Sequence, residues 1–330
     1  MSGRHVIVVG GGPAGFMAAA KAAEEGASVL LLEKMKKLGR KMMITGKGRC
    51  NITNAAPIPE LVRNIPGNGS FLYSALHAFD NEAVRDFFAA RGVETKVERG
   101  GRVFPQSDRA ADAVDALVTY LHELGVKIKM EAPAADILVE EGRAAGVVLV
   151  GGAKLRADAV VLAVGGASYP ATGSTGDGYG MARRLGHTVT QILPSLVPLV
   201  VEEDWVKAAQ GLSLRNVRCT LLADGKKCAD AFGEMMFTHF GVTGPIILSL
   251  SRMAAQALAE GSFVELELDL KPALAPEIFA ARVQRDFEKY QRKALKNAMH
   301  DLLPGKLIAP VLDAAYLEVE KPVHQVTREE

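Results

Sequence analysis

The apolar pattern opens with Val6-Ile7-Val8-Val9, four β-branched residues in a row, which predict a strand buried on both faces. Gly10-Gly11-Gly12-Pro13-Ala14-Gly15 follows, then an alanine-rich helical run, then Val29-Leu30-Leu31-Leu32-Glu33. This is a βαβ unit. Helical spacing recurs over 71–91 (Leu76, Phe79, Val84, Phe87, Phe88) and over 110–124 (Ala113, Leu117, Leu121, Leu124). Residues 38–54 are too rich in Gly, Asn and Thr for a helix and read as an ordered loop. From 126 the pattern turns to strands at 126–130, 135–139, 145–150 and 157–164, with turns at Glu141-Gly142 and Gly151-Gly152. The last of these reads as a buried strand ending in Gly165-Gly166, and a helix is predicted near 179–185. Residues 195–270 look β-rich, with strands at 196–201, 217–222 and 263–270, and predict a second domain. Pro276 and Pro304 bound one or two helices over 275–303, and the tail 308–330 begins helical and ends polar.

The glycines of the first turn have separate jobs. Gly10 permits the tight turn, Gly12 lets the backbone approach a pyrophosphate, and Gly15 lets helix and strand pack closely. The helix start, with Pro13 and Ala14, aims free N–H groups at phosphate. Seventeen residues separate Gly15 from Glu33, which falls at the end of the second strand. A carboxylate there accepts hydrogen bonds from ribose hydroxyls and disfavours a 2′-phosphate. The spacing and the N-terminal position favour the ADP half of FAD over NAD. With one such fingerprint in the chain, no separate nicotinamide domain is expected.

A chain of 330 residues, 48% hydrophobic and 23% charged, has room for about two domains with their own cores. A net charge of +1 provides no footprint for nucleic acid or anionic lipid, so neither nucleic acid nor membrane is expected as a partner. The single basic cluster, residues 34–41, is accounted for by a solvated loop. Three cysteines, Cys50, Cys219 and Cys228, support neither a disulfide framework nor a zinc site, and no metal is expected. Arg4 and His5 precede an apolar run, but three glycines and a proline interrupt it, which argues against a signal peptide. No apolar stretch reaches the roughly eighteen residues of a membrane span. A cytoplasmic protein is expected.

Five segments occur in order: GGGPAG, ITGKGRCNITN, GGRVFPQSDRA, AVGGASYPATGSTGDGYGMARRLGH and GEMMFTHFGVTGP. In this conjunction the chain closely resembles, over essentially its whole length, the BaiN/RdsA-type NAD(P)/FAD-dependent oxidoreductases, a flavoprotein family that includes aminoacetone oxidases. The resemblance implies an α/β fold, with a Rossmann-like FAD-binding domain of the two-dinucleotide-binding-domain type and inserted β-barrel-like and small helical domains. We place the FAD-binding domain with its β-meander at 1–192, the barrel-like insert at 193–270 and the helical insert at 271–322. Residues 323–330 would begin a return to the flavin sheet, with the family's C-terminal segment expected beyond Glu330.

The resemblance puts the loop Thr45, Gly46, Gly48, Arg49, Cys50 and Asn51 at the cofactor, with Lys34, Lys41, Gly165 and Gly166. A loop that caps itself through local hydrogen bonds is the alternative, with Arg49 paired to a core carboxylate. Cys50 reads as a packing residue rather than a reactive thiol. Asp177 either accepts hydrogen bonds from a ligand or simply forms a turn. On the substrate side stand Asp177, Glu234, Thr238 and Thr243, and His239 is the candidate catalytic group that takes a proton during hydride transfer to flavin N5. A structural His239 and a surface Glu234 are the alternatives. His187, after a Leu-Gly helix ending, reads as structural, and Trp205 has no aromatic neighbours in sequence.

The function this implies is an FAD-dependent oxidoreductase acting on an unidentified small organic substrate by hydride transfer to or from flavin N5. NAD(P)H visiting transiently, or oxygen, would be its redox partner. The alternative is a flavin-binding protein without turnover that docks a protein partner. A tRNA-modifying flavoprotein is disfavoured by the near-neutral charge.

Overall fold

β1 (His5–Val9) turns Val6 and Val8 into one apolar layer and Ile7 and Val9 into another, so its unbroken β-branched run is buried on both faces. These are features of a computed structural model that describes residues 3–330. α1 (Pro13–Glu24) starts with proline at its first turn and hands the chain to β2 (Ser28–Leu32), which pairs parallel to β1. There follow α2 (Arg40–Ile44), β3 (Thr53–Asn54), α3 (Ile58–Arg63), α4 (Tyr73–Ala78), α5 (Asn81–Ala89), β4 (Thr95–Glu98) and β5 (Arg102–Pro105). Then come α6 (Ala110–Glu123), β6 (Lys127–Lys129), β7 (Ala134–Glu140), β8 (Arg143–Leu149), β9 (Lys154–Arg156), β10 (Ala159–Leu162) and α7 (Asp177–Arg184).

The four parallel strands run in the order β10-β1-β2-β6, the order of a dinucleotide-binding sheet. One face packs on α1 and α6 through Phe16, Ala19, Leu117 and Leu121. The other packs on the β7-β8-β9 meander through Ile137, Val147 and Leu149. Phe16, Ile7 and Leu31 are fully buried, each worth about 1.5–3 kcal/mol against exposure. A third, small sheet, β3-β5-β4, carries the chain between α2 and α6.

The chain divides after Thr190, and the unit Gln191–Glu330 has its own cores. It holds β11 (Leu199–Val200), α8 (Trp205–Ala208), β12 (Ser213–Ala223), β13 (Lys226–Phe237), β14 (Gly241–Thr243), α9 (Pro245–Ala259) and β15 (Val264–Asp269). The strands form an antiparallel sheet in the order β11-β14-β13-β12-β15. Met235 and Phe237 from the sheet meet Ile246, Ile247 and Leu250 from α9. α10 (Pro276–Lys289), α11 (Leu295–Ala298) and α12 (Gly305–Ala314) complete the chain around Leu295, Ile308 and Leu312.

Several expectations need correction. The segment 38–54 is not all loop, because Arg-Lys-Met-Met-Ile, free of glycine, forms α2. The helical pattern of 71–91 breaks at Asp80, whose carboxylate accepts the Ala83 N–H at 2.7 Å and starts α5 afresh. The segment 157–164 is strand only over β10, which pairs with β1 alone at the sheet edge and leaves Leu162 37% exposed rather than buried. The strand expected at 196–201 shrinks to β11, as Leu196 has a φ of 100° and lies exposed. The β-rich stretch 195–270 contains the 15-residue helix α9, and it holds one long hairpin, β12–β13, turning at Asp224-Gly225. Trp205 packs on Phe237 with ring centroids 5.6 Å apart. Among the described residues, no helix is long and apolar enough to cross a membrane.

Candidate functional site

The carboxyl ends of β1 and β2, the segment after β10 and the start of α1 enclose a cavity of about 470 Å³. The glycines around the β1–α1 turn shape its mouth. Gly10 has a φ of 111°, and a Cβ there would stand 2.5 Å from the Ala163 carbonyl oxygen. A Cβ on Gly15 would stand 1.8 Å from the Gly10 carbonyl oxygen. Gly12 lines the cavity, and a Cβ on it would meet nothing within 4 Å, so the space beside that backbone is left for a ligand. The helix start carries no side-chain cap and no acid, and Ala14 and Gly15 present N–H groups with no helical acceptor.

Glu33 is fixed by the main chain. Its Oε2 accepts the Gly11 N–H at 2.8 Å and its Oε1 the Met35 N–H at 2.7 Å. Each oxygen has accepted one hydrogen bond and retains capacity for another, and Glu33 lines the cavity, which provides the acceptors a ribose diol needs. Four cations line the same cavity: Lys34, Lys37, Arg40 and Lys41. Lys41 Nζ donates to the Ser168 carbonyl at 2.9 Å. Lys34 Nζ donates to Thr175 Oγ1 and Asp177 Oδ2, each at 2.6 Å. The Lys34 ammonium and then the Thr175 hydroxyl hold the Asp177 carboxyl below the ordinary aspartate range.

A second cavity of about 350 Å³ shares Pro13 and Lys41 with the first. Met17, Phe79, Phe87, Phe88 and Leu117 wall it, with Thr45, Cys50 and Asn51 as its polar side. Burial pushes the Cys50 thiol up, which leaves it protonated and packed.

The first cavity thus gathers Gly10, Gly12, Pro13, Ala14, Glu33, Lys34, Lys41 and Gly165 from the residues the sequence singled out, and the second adds Thr45, Cys50 and Asn51. Gly15, Gly46, Gly48, Arg49 and Gly166 line neither. Arg49 is spoken for: Nη1 donates to Glu98 Oε1 at 2.7 Å and Asp108 Oδ1 at 3.3 Å, and the guanidinium lies 4.1 Å from the Phe104 ring centre. Gly46 is the partner of that ring, since a Cβ on it would come 2.5 Å from Phe104. Oriented to satisfy both its ends, the Asn51 amide donates to the Thr53 and Val103 carbonyls at 3.1 and 3.2 Å. Asp177, expected on the substrate side, stands on the first cavity. The basic cluster 34–41 is not simply a solvated loop: besides Lys34 and Lys41, its Lys37 and Arg40 line the first cavity, and the run of charge is the one trace of this in the sequence.

In the second unit, the segment 233–245 is a hairpin end. Thr238 Oγ1 accepts the Gly241 N–H at 3.1 Å, closing the turn between β13 and β14. His239 is exposed on that turn, its ring edge-on to Phe240 at 4.9 Å. Glu234 is exposed on β13 and Thr243 half-buried on β14. His187 follows Gly186 and returns its N–H to the Ala182 carbonyl, ending α7. Among the described residues, no group of three or more His, Cys, Asp or Glu side chains is placed to hold a metal ion.

The parallel sheet with its glycine-lined mouth, main-chain-held acid and cationic rim defines a Rossmann-like dinucleotide-binding domain. Residues 4–260 match the family described as HI0933-like protein Rossmann domain, and residues 193–330 match HI0933-like protein barrel and H2TH domain. The chain belongs to the HI0933-like family, and so to the BaiN/RdsA-type FAD-dependent oxidoreductases its motifs resemble. It is 31% identical to a 3-dehydro-bile acid delta(4,6)-reductase of Clostridium scindens, covering 98% of this chain and 78% of that protein. It is 28% identical to a ribosomal RNA dihydrouridine synthase of Haemophilus influenzae, covering 92% of this chain and 72% of that one. Among solved structures it is similar to a 3-ketosteroid-delta4-(5alpha)-dehydrogenase of Rhodococcus jostii RHA1, with 18% identity, a TM-score of 0.46 and 66% of this chain covered. The chain spans 59% of that structure and 47% of a similar flavocytochrome c3 fumarate reductase.

Proposed function

We propose that the 470 Å³ cavity holds the ADP half of FAD, and that the protein reduces a small organic substrate carrying a conjugated double bond. The observation that carries the cofactor half is Glu33, clamped by Gly11 and Met35 beside the open backbone of Gly12. The free N–H groups of α1 and the four cations would take the diphosphate, and Glu33 the ribose diol. Pro13, Lys41, Thr45 and Asn51, which border the apolar second cavity, would hold the flavin end. Once bound, the flavin supplies hydride transfer. Saturating a double bond also consumes a proton. His239, exposed on its turn, is our candidate for delivering it, with Glu234, Thr238 and Thr243 beside it in sequence. The substrate class is supported by the bile acid reductase relative. NAD(P)H is the proposed electron donor, and three free thiols suit a reducing cytoplasm.

The test is anaerobic. Protein loaded with FAD is photoreduced and its 450 nm absorbance followed after adding conjugated enones or, separately, uridine-containing RNA. Reoxidation by enones is expected, with a slower rate in His239→Gln. Reoxidation by RNA alone would move the substrate to the kind named for the other relatives. No reoxidation by any acceptor, alongside a stable protein complex, would favour a flavoprotein without turnover.

A further inference from the structure

Two neighbours at the end of β2 make opposite demands on a dinucleotide. An acid there, Glu33, accepts from an unmodified ribose, whereas a cation beside it is what accommodates a 2′-phosphate in this fold. Lys34 is such a cation, and it lines the cavity. Its charge is matched on the spot. Asp177 Oδ2 accepts from its Nζ at 2.6 Å, Thr175 Oγ1 accepts from the same ammonium at 2.6 Å, and Thr175 Oγ1 donates in turn to Asp177 Oδ1 at 2.7 Å. The carboxylate sits in the first turn of α7, where the helix dipole favours its negative form. The Lys34 side chain is 25% exposed and that of Asp177 42%, so the pair is partly shielded from water.

Resting on the reading that this cavity takes an ADP half, we propose that Asp177 is a specificity-determining residue. By holding Lys34, it keeps the cavity selective for an adenosine ribose that carries no 2′-phosphate. Removing the carboxylate alone leaves the ammonium facing a neutral partner, and the local charge rises by one. A 2′-phosphate then gains a partner it lacks in the native protein. A pair that merely staples the start of α7 to the segment after β2 would affect stability and leave ligand preference alone.

Calorimetric titration of the purified protein with ADP-ribose and with 2′-phospho-ADP-ribose separates the two roles. In Asp177→Asn the affinity ratio is expected to move toward the 2′-phosphorylated ligand by about tenfold, the size of one charge-assisted hydrogen bond at a partly exposed site. The gain should shrink at high salt and disappear in Asp177→Asn/Lys34→Met. Lys34→Gln, which leaves Asp177 uncompensated, should move the ratio the other way and covers the case in which Asp177→Asn does not fold. An unchanged ratio in the folded variants overturns the proposal while ADP-ribose binding stands. Failure of the native protein to bind ADP-ribose overturns the cavity assignment itself.

Discussion

A Cβ on Gly15 would lie 1.8 Å from the Gly10 carbonyl oxygen, so α1 meets the end of β1 at a distance only glycine allows. Gly15→Ala must push the helix start away from the turn. We expect it to lose about 1–3 kcal/mol of stability, the usual cost of overpacking, and to weaken flavin binding as well. Gly12→Ala is the matched control. Its Cβ meets nothing within 4 Å and its φ is −96°, so thermal stability should hold while dinucleotide affinity falls. Melting curves and flavin titrations of the two variants should therefore diverge. Equal melting temperatures would contradict the packing argument.

Ser251 is fully buried, and its hydroxyl serves three groups. Oγ accepts the Leu196 and Val197 N–H groups at 3.1 Å each and donates to the Leu248 carbonyl at 2.8 Å. Ser251→Ala leaves two main-chain donors without their acceptor. A loss of about 1–3 kcal/mol in denaturant unfolding is expected, and an unshifted midpoint would show that water replaces the hydroxyl.

The three thiols should separate by burial. Cys228 is exposed, whereas desolvation raises Cys50 and pushes Cys219 up to about 11. Near pH 8, an aromatic disulfide reagent should label one thiol per native chain quickly, and Cys228→Ser should remove that phase. A second fast thiol would mean that Cys50 is accessible through the apolar cavity it lines.

The Lys34–Asp177 pair also predicts an acid response. Because Asp177 titrates below its ordinary range when folded, its contribution is present above the unfolded carboxyl's pKa and is lost as pH falls through the folded value. Native stability should drop below about pH 4, and Asp177→Asn should flatten that limb. Identical acid limbs would show that the pair does not couple to folding.

The βαβ unit was legible because each residue in it answers to a local rule: β-branched strand, glycine turn, proline-started helix, acid at the next strand end. α9 was less so. Its apolar positions 246, 247, 250, 254 and 257 have helical spacing, but they follow strands closely enough to read as more of the same. The Asp224-Gly225 turn was a hairpin signal for β13 that the pattern alone left unused. Lys37 and Arg40 belong to a dense basic run, but charge density alone does not separate a solvated charge from one facing a cavity; the tertiary fold, which ties the Gly39 N–H to the Gly11 carbonyl at 2.8 Å, makes that distinction. Arg49 shows the converse. Its partners Glu98 and Asp108 lie 49 and 59 residues away, beyond any local reading.

Glu33 and the mouth of α1 are proposed to bind the adenosine diphosphate half of FAD. The decisive experiment titrates FAD into the purified protein, with flavin fluorescence as the signal. We predict saturable binding displaced by ADP-ribose, weakened roughly ten- to hundredfold in Glu33→Ala, the value of one or two hydrogen bonds to a charged acceptor. Binding of equal strength in the native protein and Glu33→Ala, or displacement by riboflavin but not by ADP-ribose, would contradict it.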